Sequence, residues 1–203
     1  MTKGILMSRK AITRLFLLAT VFALFGRLFI VEDYRIVSNS MFPNLKVGQL
    51  VFVAKSAFSI KLPFSSFELI KFSRPHRSEV VAFILPQKNH RTHVKRVVAV
   101  AGDRLEIKSG QLYINGNLSH YQEFKDSDRQ IAGEGFKIQL EQPDGGQPYP
   151  IQMEQGKLAD YGPIDVPLNH FFVLGDNRTD SIDSRTWGPV PYSYLKGKVL
   201  AQF

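Results

Sequence analysis

Apolar residues recur in two different ways along this 203-residue chain. Near the start, Lys3, Arg9, Lys10 and Arg14 precede an uncharged run from Leu15 to Gly26. Taken from Ala11 to Val31, the segment is long enough as a helix, at about 1.5 Å per residue, to cross a hydrocarbon core of about 30 Å. Arg14 and Arg27 would reach towards opposite interfaces. The excess of positive charge before the run predicts that the N-terminus stays in the cytoplasm and that everything after about residue 31 lies outside. A cleavable secretion signal is the competing reading. No small-x-small cleavage site follows the run, and Glu32 and Asp33 come next, so the segment is expected to be an uncleaved anchor.

Beyond the anchor the apolar residues fall into short runs that predict strands. Leu50 to Ala54, Glu79 to Leu85, His93 to Ala101 and His170 to Leu174 are rich in Val and Phe and are bounded by Gly, Pro or Asp. Leu112-Tyr113-Ile114 runs into Asn115-Gly116, the pair preferred in a type I′ hairpin turn. Lys198 to Phe203 reads as a last strand. No long segment after the anchor carries the helical period. Many short strands with frequent turns predict a mainly β, antiparallel domain, barrel-like in tendency, over residues 32–203 after a tip and anchor over 1–31. Two stretches depart from this pattern. Ser56 to Arg77 mixes Phe58, Phe64, Phe67, Leu69, Ile70 and Phe72 with Lys and Ser, which suits core packing or a loop dipping into a membrane surface. Residues of about 115–165 are polar and turn-rich, and are expected to form an inserted hairpin or subdomain away from the chemistry.

Composition narrows the function. The formal net charge is +8, but the basic residues are scattered and no nucleic-acid motif accompanies them, so no nucleic-acid partner is expected. There is no cysteine. Disulfides, thiolate metal sites and thiol catalysis are excluded.

Three segments can carry chemistry. Ser38-Asn39-Ser40-Met41-Phe42-Pro43 lies just past the predicted anchor, and Pro43 pushes Phe42 into extended geometry, so Ser40 sits on a constrained turn. By itself this also suits a linker. A serine nucleophile needs a base. None of His76, His90, His93, His120 and His170 stands in a recognisable triad motif. Lys95 is the alternative, because it lies in the apolar stretch His93 to Val100, where desolvation would lower its pKa. A lysine on the exposed face of a half-buried strand is the plainer reading of that stretch. Period 2 places His93, Lys95 and Val97 on one face, with Val94 and Arg96 on the other. The third segment, Gly175 to Gly188, holds Asp176, Asp180, Asp183, Ser181, Ser184, Arg178 and Arg185. A calcium loop is disfavoured because Arg178 stands where a ligand should be and no Glu closes the loop. A salt-bridged turn presenting a serine hydroxyl fits better, and no metal or cofactor is expected.

In the same order, these segments resemble the boxes of bacterial type I signal peptidases. Ser40-Met41-Phe42-Pro43 is similar to the nucleophile box, and Lys95-Arg96-Val97-Val98 with Gly102-Asp103 to the lysine box. Gly175-Asp176-Asn177-Arg178, Asp183-Ser184-Arg185 and Trp187-Gly188 resemble the last box. The resemblance runs from about residue 12 to 203. It implies a serine endopeptidase of the cytoplasmic membrane that removes signal peptides from exported preproteins after Ala-x-Ala. Ser40 would be the nucleophile and Lys95 the general base. Ser38, with the Ser40 backbone N–H, would form the oxyanion hole, and Ser181 would orient the lysine amine. Asp183 and Arg185, with Asp176, would form a structural ion pair. Tyr34, Ile36, Met41 and Val94 would line pockets for small residues. Preprotein signal peptides and membrane lipids are the implied partners.

The chain departs from the family pattern at Asn44, where Thr is usual, at Ala99 and Ala101 before Gly102-Asp103, at Thr179-Asp180 in place of Asp-Asn, and at His93 beside the lysine. A dedicated maturation protease of the same family, acting on a pilin or conjugation substrate, is the second reading. A silent membrane-tethered β module that binds exported chains is the third.

Overall fold

The computed structural model describes residues 9–29, 31–61, 68–71, 73–85, 91–123, 135–154, 156 and 159–202, with backbone alone for 11, 22–29, 60, 61, 68, 69, 71, 201 and 202. Helix α1 (Arg9–Phe29) covers most of the expected anchor. It stops short of residue 31 because Val31 already opens the first strand. Leu15, Phe16, Leu17 and Leu18 are 60–75% exposed, so α1 does not bury them against the domain. Among the described residues no helix is long and apolar enough to cross a membrane.

The rest of the described chain is mostly antiparallel strand, as the alternating and clustered apolar runs require. In chain order the strands begin with β1 (Val31–Arg35), β2 (Leu50–Ala54), β3 (Ser59–Lys61), β4 (Glu68–Lys71) and β5 (Val80–Ile84). Next come β6 (Thr92–Val100), β7 (Arg104–Lys108), β8 (Gln111–Ile114), β9 (Asn117–Leu118), β10 (His120–Glu123) and β11 (Phe136–Gln142). The series closes with β12 (Tyr149–Glu154), β13 (Tyr161–Asp165), β14 (His170–Leu174), β15 (Val190–Pro191) and β16 (Leu195–Gln202). One helical turn, α2 (Ser184–Trp187), lies between β14 and β15.

Seven strands form the main sheet in the order β1-β2-β16-β5-β6-β14-β15. On one face Val81, Phe83, Val97, Phe171, Val173 and Val190 pack with Phe58. On the other, Val98, Ala99, Phe172 and Leu174 pack against Leu105, Ile107, Leu112 and Ile114 of a second sheet, ordered β13-β7-β8-β9. Each of the fully buried phenylalanines contributes about 1.5–3 kcal/mol by leaving water. The turn from β8 to β9 is the expected hairpin: Asn115 and Gly116 both have positive φ, 54° and 84°, and Ile114 pairs with Asn117.

The segment from Ser56 divides. Phe58 is buried in the first core and Ile70 is exposed. Phe64, Phe67 and Phe72 lie outside the described residues, as does the side chain of Leu69. The polar stretch expected to be remote builds a third sheet, β10-β11-β12, and it is not remote. Gln152 of β12 bridges in parallel to Asn177, in the middle of the third motif. Pairing between residues so far apart leaves no mark on local composition, which is why polarity alone suggested a detached insert.

Candidate active site

After β1 the chain turns through Asn39–Met41 as a single 3-10 turn, entered by an extended Ser38 and left by an extended Phe42 before a cis Phe42–Pro43 bond. The loop is pinned at its base by Ile36 N–H donating to Gln49 O at 2.9 Å and Gly48 N–H to Ile36 O at 2.8 Å. Ser40 and Met41 are buried at its crest. Ser38 Oγ and Ser40 Oγ share a hydrogen bond of 3.1 Å.

Lys95 approaches from β6. Its cross-strand partner is Val81 on β5, and Val97, two residues on, shares its face; both valines are fully buried. An amine emerging between them loses its hydration. Lys95 is 4% exposed, and its Nζ hydrogen-bonds Ser40 Oγ. Burial is the largest influence on the amine and lowers its pKa. Asp183 and Asp176 oppose this, Arg185 adds to it, and the balance is a pKa lowered to about 8.

The third motif leaves β14 and wraps both partners. Gly175 packs so closely between the Ser40 carbonyl and Ser181 Oγ that a Cβ there would collide with each. Asn177 N–H donates to Ser40 O at 3.1 Å. Asp183 accepts from Gly175 N–H at 2.9 Å and holds Arg185 through Nε and Nη2, both at 2.8 Å. It also caps α2, accepting from Arg185 N–H. Burial pushes the Asp183 carboxyl up, but the Arg185 hydrogen bonds and charge, with the Gly175 N–H and Ser181, outweigh it and hold it below its usual value. Ser181 Oγ itself is buried with no hydrogen bond of ordinary geometry, and none to Lys95 is present.

Asp176 does not join the Asp183–Arg185 pair. It is fully buried and takes Arg96 in a two-pronged contact, Nε to Oδ1 and Nη2 to Oδ2, each 2.7 Å. Arg96 projects from the face of β6 opposite Lys95, so it meets the loop from behind. Its third nitrogen, Nη1, donates to Ser78 O at 2.7 Å, and the guanidinium carbon lies over the Tyr149 ring, 4.1 Å from its centre. Asn44, at the place where Thr is usual, donates to both Asp176 Oδ2 and Pro150 O at 2.7 Å.

Tyr34, Ile36, Met41 and Val94 fall into one apolar cluster with Leu45 and Val51, directly beside the Ser40 turn. His93 faces aromatic rings: it stacks on Phe83 at 5.8 Å and leans on Trp187 at 5.4 Å. No group of three or more acidic or histidine side chains among the described residues is placed to hold a metal ion.

Sequence reasoning missed Glu141. This fully buried carboxylate of β11 receives Arg178 Nη2 at 2.5 Å and Nη1 at 2.7 Å, with Tyr121 and Tyr149 hydroxyls donating at 2.7 Å. Burial would raise its pKa, but the Arg178 charge and the four hydrogen bonds win and hold it below the usual carboxylate value. The one available signal was Arg178 itself, a charge in a motif too dense with partners to name one.

The family model described as signal peptidase, peptidase S26, matches residues 9–203. Signal peptidase I of Pseudomonas aeruginosa is 32% identical over 193 residues, covering 86% of this chain and 65% of its own length. Signal peptidase I of Pseudomonas fluorescens is 32% identical over 188 residues with the same coverage. The chain therefore spans just under two thirds of the length of these relatives. A crystal structure of a signal peptidase I from Enterococcus faecalis V583 superposes with a TM-score of 0.41 at 27% identity, covering 64% of this chain and all of that one.

The buried Glu141–Arg178 pair generates a prediction. Glu141→Ala leaves Arg178 buried and unpaired and should lower stability by about 3–5 kcal/mol, read as a shift of the urea midpoint. Replacing both residues by Leu and Met should recover a large part of the loss. Below the folded pKa of Glu141 the wild type loses the same stabilisation, so its midpoint falls with acid more steeply than that of the double variant.

Proposed function

The chain belongs to the signal peptidase family, peptidase S26, and from that footing we propose that it is a membrane-bound serine endopeptidase that cleaves signal peptides from exported preproteins after small residues. The observation that carries the mechanism is the hydrogen bond between Lys95 Nζ and Ser40 Oγ in a setting that brings the amine pKa to about 8. In its neutral form Lys95 accepts the Ser40 proton as Oγ attacks the scissile carbonyl. The oxyanion is met by the Ser40 backbone N–H, with Ser38 turning its hydroxyl from Ser40 to the new charge. The lysine ammonium then protonates the leaving amine, and the same amine later deprotonates the water that releases the acyl-enzyme.

The other site residues take supporting parts. Ser181, held across Gly175 from the Ser40 carbonyl, orients the amine once substrate excludes water. The Asp183–Arg185 pair fixes that turn. The cluster of Tyr34, Ile36, Met41 and Val94 beside the Ser40 turn takes alanine-sized side chains on the acyl side.

We place α1 in the lipid of the cytoplasmic membrane, with the N-terminus inside and the catalytic domain on the outer face. Two features support this. Ile12, Leu15, Phe16, Leu17, Leu18 and Val21 of α1 are exposed, and the hydroxyls of Thr13 and Thr20 are already spent on carbonyls one turn back, at 3.0 and 2.9 Å.

Four outcomes are expected. Ser40→Ala and Lys95→Ala should each lower kcat/KM on an Ala-x-Ala preprotein by about 10³-fold or more while the folded state persists; near-wild-type cleavage by either variant would overturn the mechanism. Because the reactive form is the neutral amine, kcat/KM should rise with pH through a limb near 8. Arg185→Gln removes a cation that lowers the amine pKa and releases Asp183 to raise it, so the limb should move to higher pH. The full chain should float with phospholipid vesicles, and Leu17→Asp with Leu18→Asp should leave it in the aqueous fraction or aggregated.

A further inference from the structure

Lys196 stands at an irregularity of β16. Leu195 pairs with Phe83 and Gly197 with Ala82, so Lys196 is the extra residue of a β-bulge. Gly197 permits the close approach this needs, because a Cβ there would collide with the carbonyl oxygen of Ala54 on β2. A bulge re-aims its extra side chain away from the direction that plain alternation would give it. Here the side chain reaches past β2 to the edge strand β1. Lys196 Nζ donates to the Tyr34 hydroxyl at 2.5 Å.

Tyr34 is the outlying member of the apolar cluster beside Ser40. Ile36 and Met41 are buried in that cluster, whereas Tyr34 is half-buried and packs against it from β1. Among the described strands β1 pairs only with β2, so the ring has support from one side alone. The rest comes at its hydroxyl end. Besides Lys196, Glu32 and Thr92 act on the same oxygen, and the Glu32 carboxylate lies 3.7 Å from Lys196 Nζ. Side chains from β1, β6 and β16 thus converge on one phenol. Burial, reinforced by Glu32, holds that phenol above its usual pKa, so it stays protonated at neutral pH.

We infer that Lys196 is a positioning residue for specificity: by pinning the Tyr34 hydroxyl it makes the ring a rigid wall, which restricts the third residue before the cut to about the size of alanine. The inference rests on the protease reading above. In an extended substrate the first and third residues before the cut share a face, about 7 Å apart. Ile36 and Tyr34, also two residues apart, run back from the Ser40 turn on one face of their strand. The first residue then meets Ile36 and Met41, and the third meets Tyr34. A ring with a free tip yields to a larger side chain by turning about its χ angles. A pinned ring does not.

The test uses the full chain and preproteins that differ only at the third residue before the cut, carrying Ala, Val or Leu. Wild type should prefer Ala over Leu by about thirtyfold in kcat/KM, with Val between. In Lys196→Met and in Tyr34→Phe the ratio should fall to about threefold, through a lower KM for the Leu substrate. Lys196→Arg keeps a donor of similar reach and should hold the wild-type ratio. Exchanging Ala for Val at the residue next to the cut meets other walls, and that ratio should be the same in Lys196→Met as in wild type. A merely structural role would lower all substrates together and leave every ratio unchanged. That result overturns the inference, as does a wild-type Ala-to-Leu ratio near one. If wild type cuts no preprotein at all, the protease reading falls instead. The wall is then judged by binding of the peptides Ala-Ala-Ala and Leu-Ala-Ala, followed by NMR shifts at Tyr34 and Ile36. A preference for Ala-Ala-Ala that is lost in Lys196→Met upholds it, and equal binding by wild type overturns it.

Discussion

The buried pair of Arg96 and Asp176 is the constraint on which the site depends. Arg96 follows Lys95 on β6, and Asp176 lies between Gly175, which abuts the Ser40 carbonyl, and Asn177, which donates to it. One guanidinium–carboxylate contact therefore ties the strand of Lys95 to the loops around Ser40. An ion pair this deep gains little net stability, since desolvation consumes most of the Coulomb attraction. What it supplies is geometry. Each Arg96 nitrogen has a partner, its plane rests on Tyr149, and Asp176 accepts from Asn44 as well. A network so fully satisfied has few alternative arrangements.

Neighbouring residues of β6 are thus treated in opposite ways. Arg96 goes to one face and is compensated in full. Lys95 goes to the other, between Val81 and Val97, with carboxylates near enough to moderate its pKa but none in contact through a salt bridge. The two-residue period of a strand makes this division possible, because adjacent side chains inhabit different environments. A Lys–Asp contact like that of Arg96 would have held the amine in its charged form.

Much of this was legible in the chain, in local form. Val- and Phe-rich runs marked the central strands to within a residue or two, and Asn115-Gly116 marked its hairpin. The period of β6 placed Lys95 and Arg96 on separate faces. The illegible parts are long-range pairings. Nothing near Glu141 announces Arg178, and nothing in a polar stretch with Pro and Gly says that β11 and β12 back the third motif. Asp176 illustrates the same limit. The family resemblance groups it with Asp183 and Arg185, but burial against the reverse side of β6 decides its partner. The constrained turn at Ser40 was legible, but its cover was not: Ser40 is largely buried because Gly175 allows the neighbouring loop to press against it.

The position of β16 has a bearing on how the main sheet comes together. It inserts between β2 and β5, pairing Lys198 with Ala54 on one side and Leu195 with Phe83 on the other. Both ladders join residues separated by more than about a hundred positions, so the middle of the sheet is closed by its least local contacts and the domain folds slowly for its size.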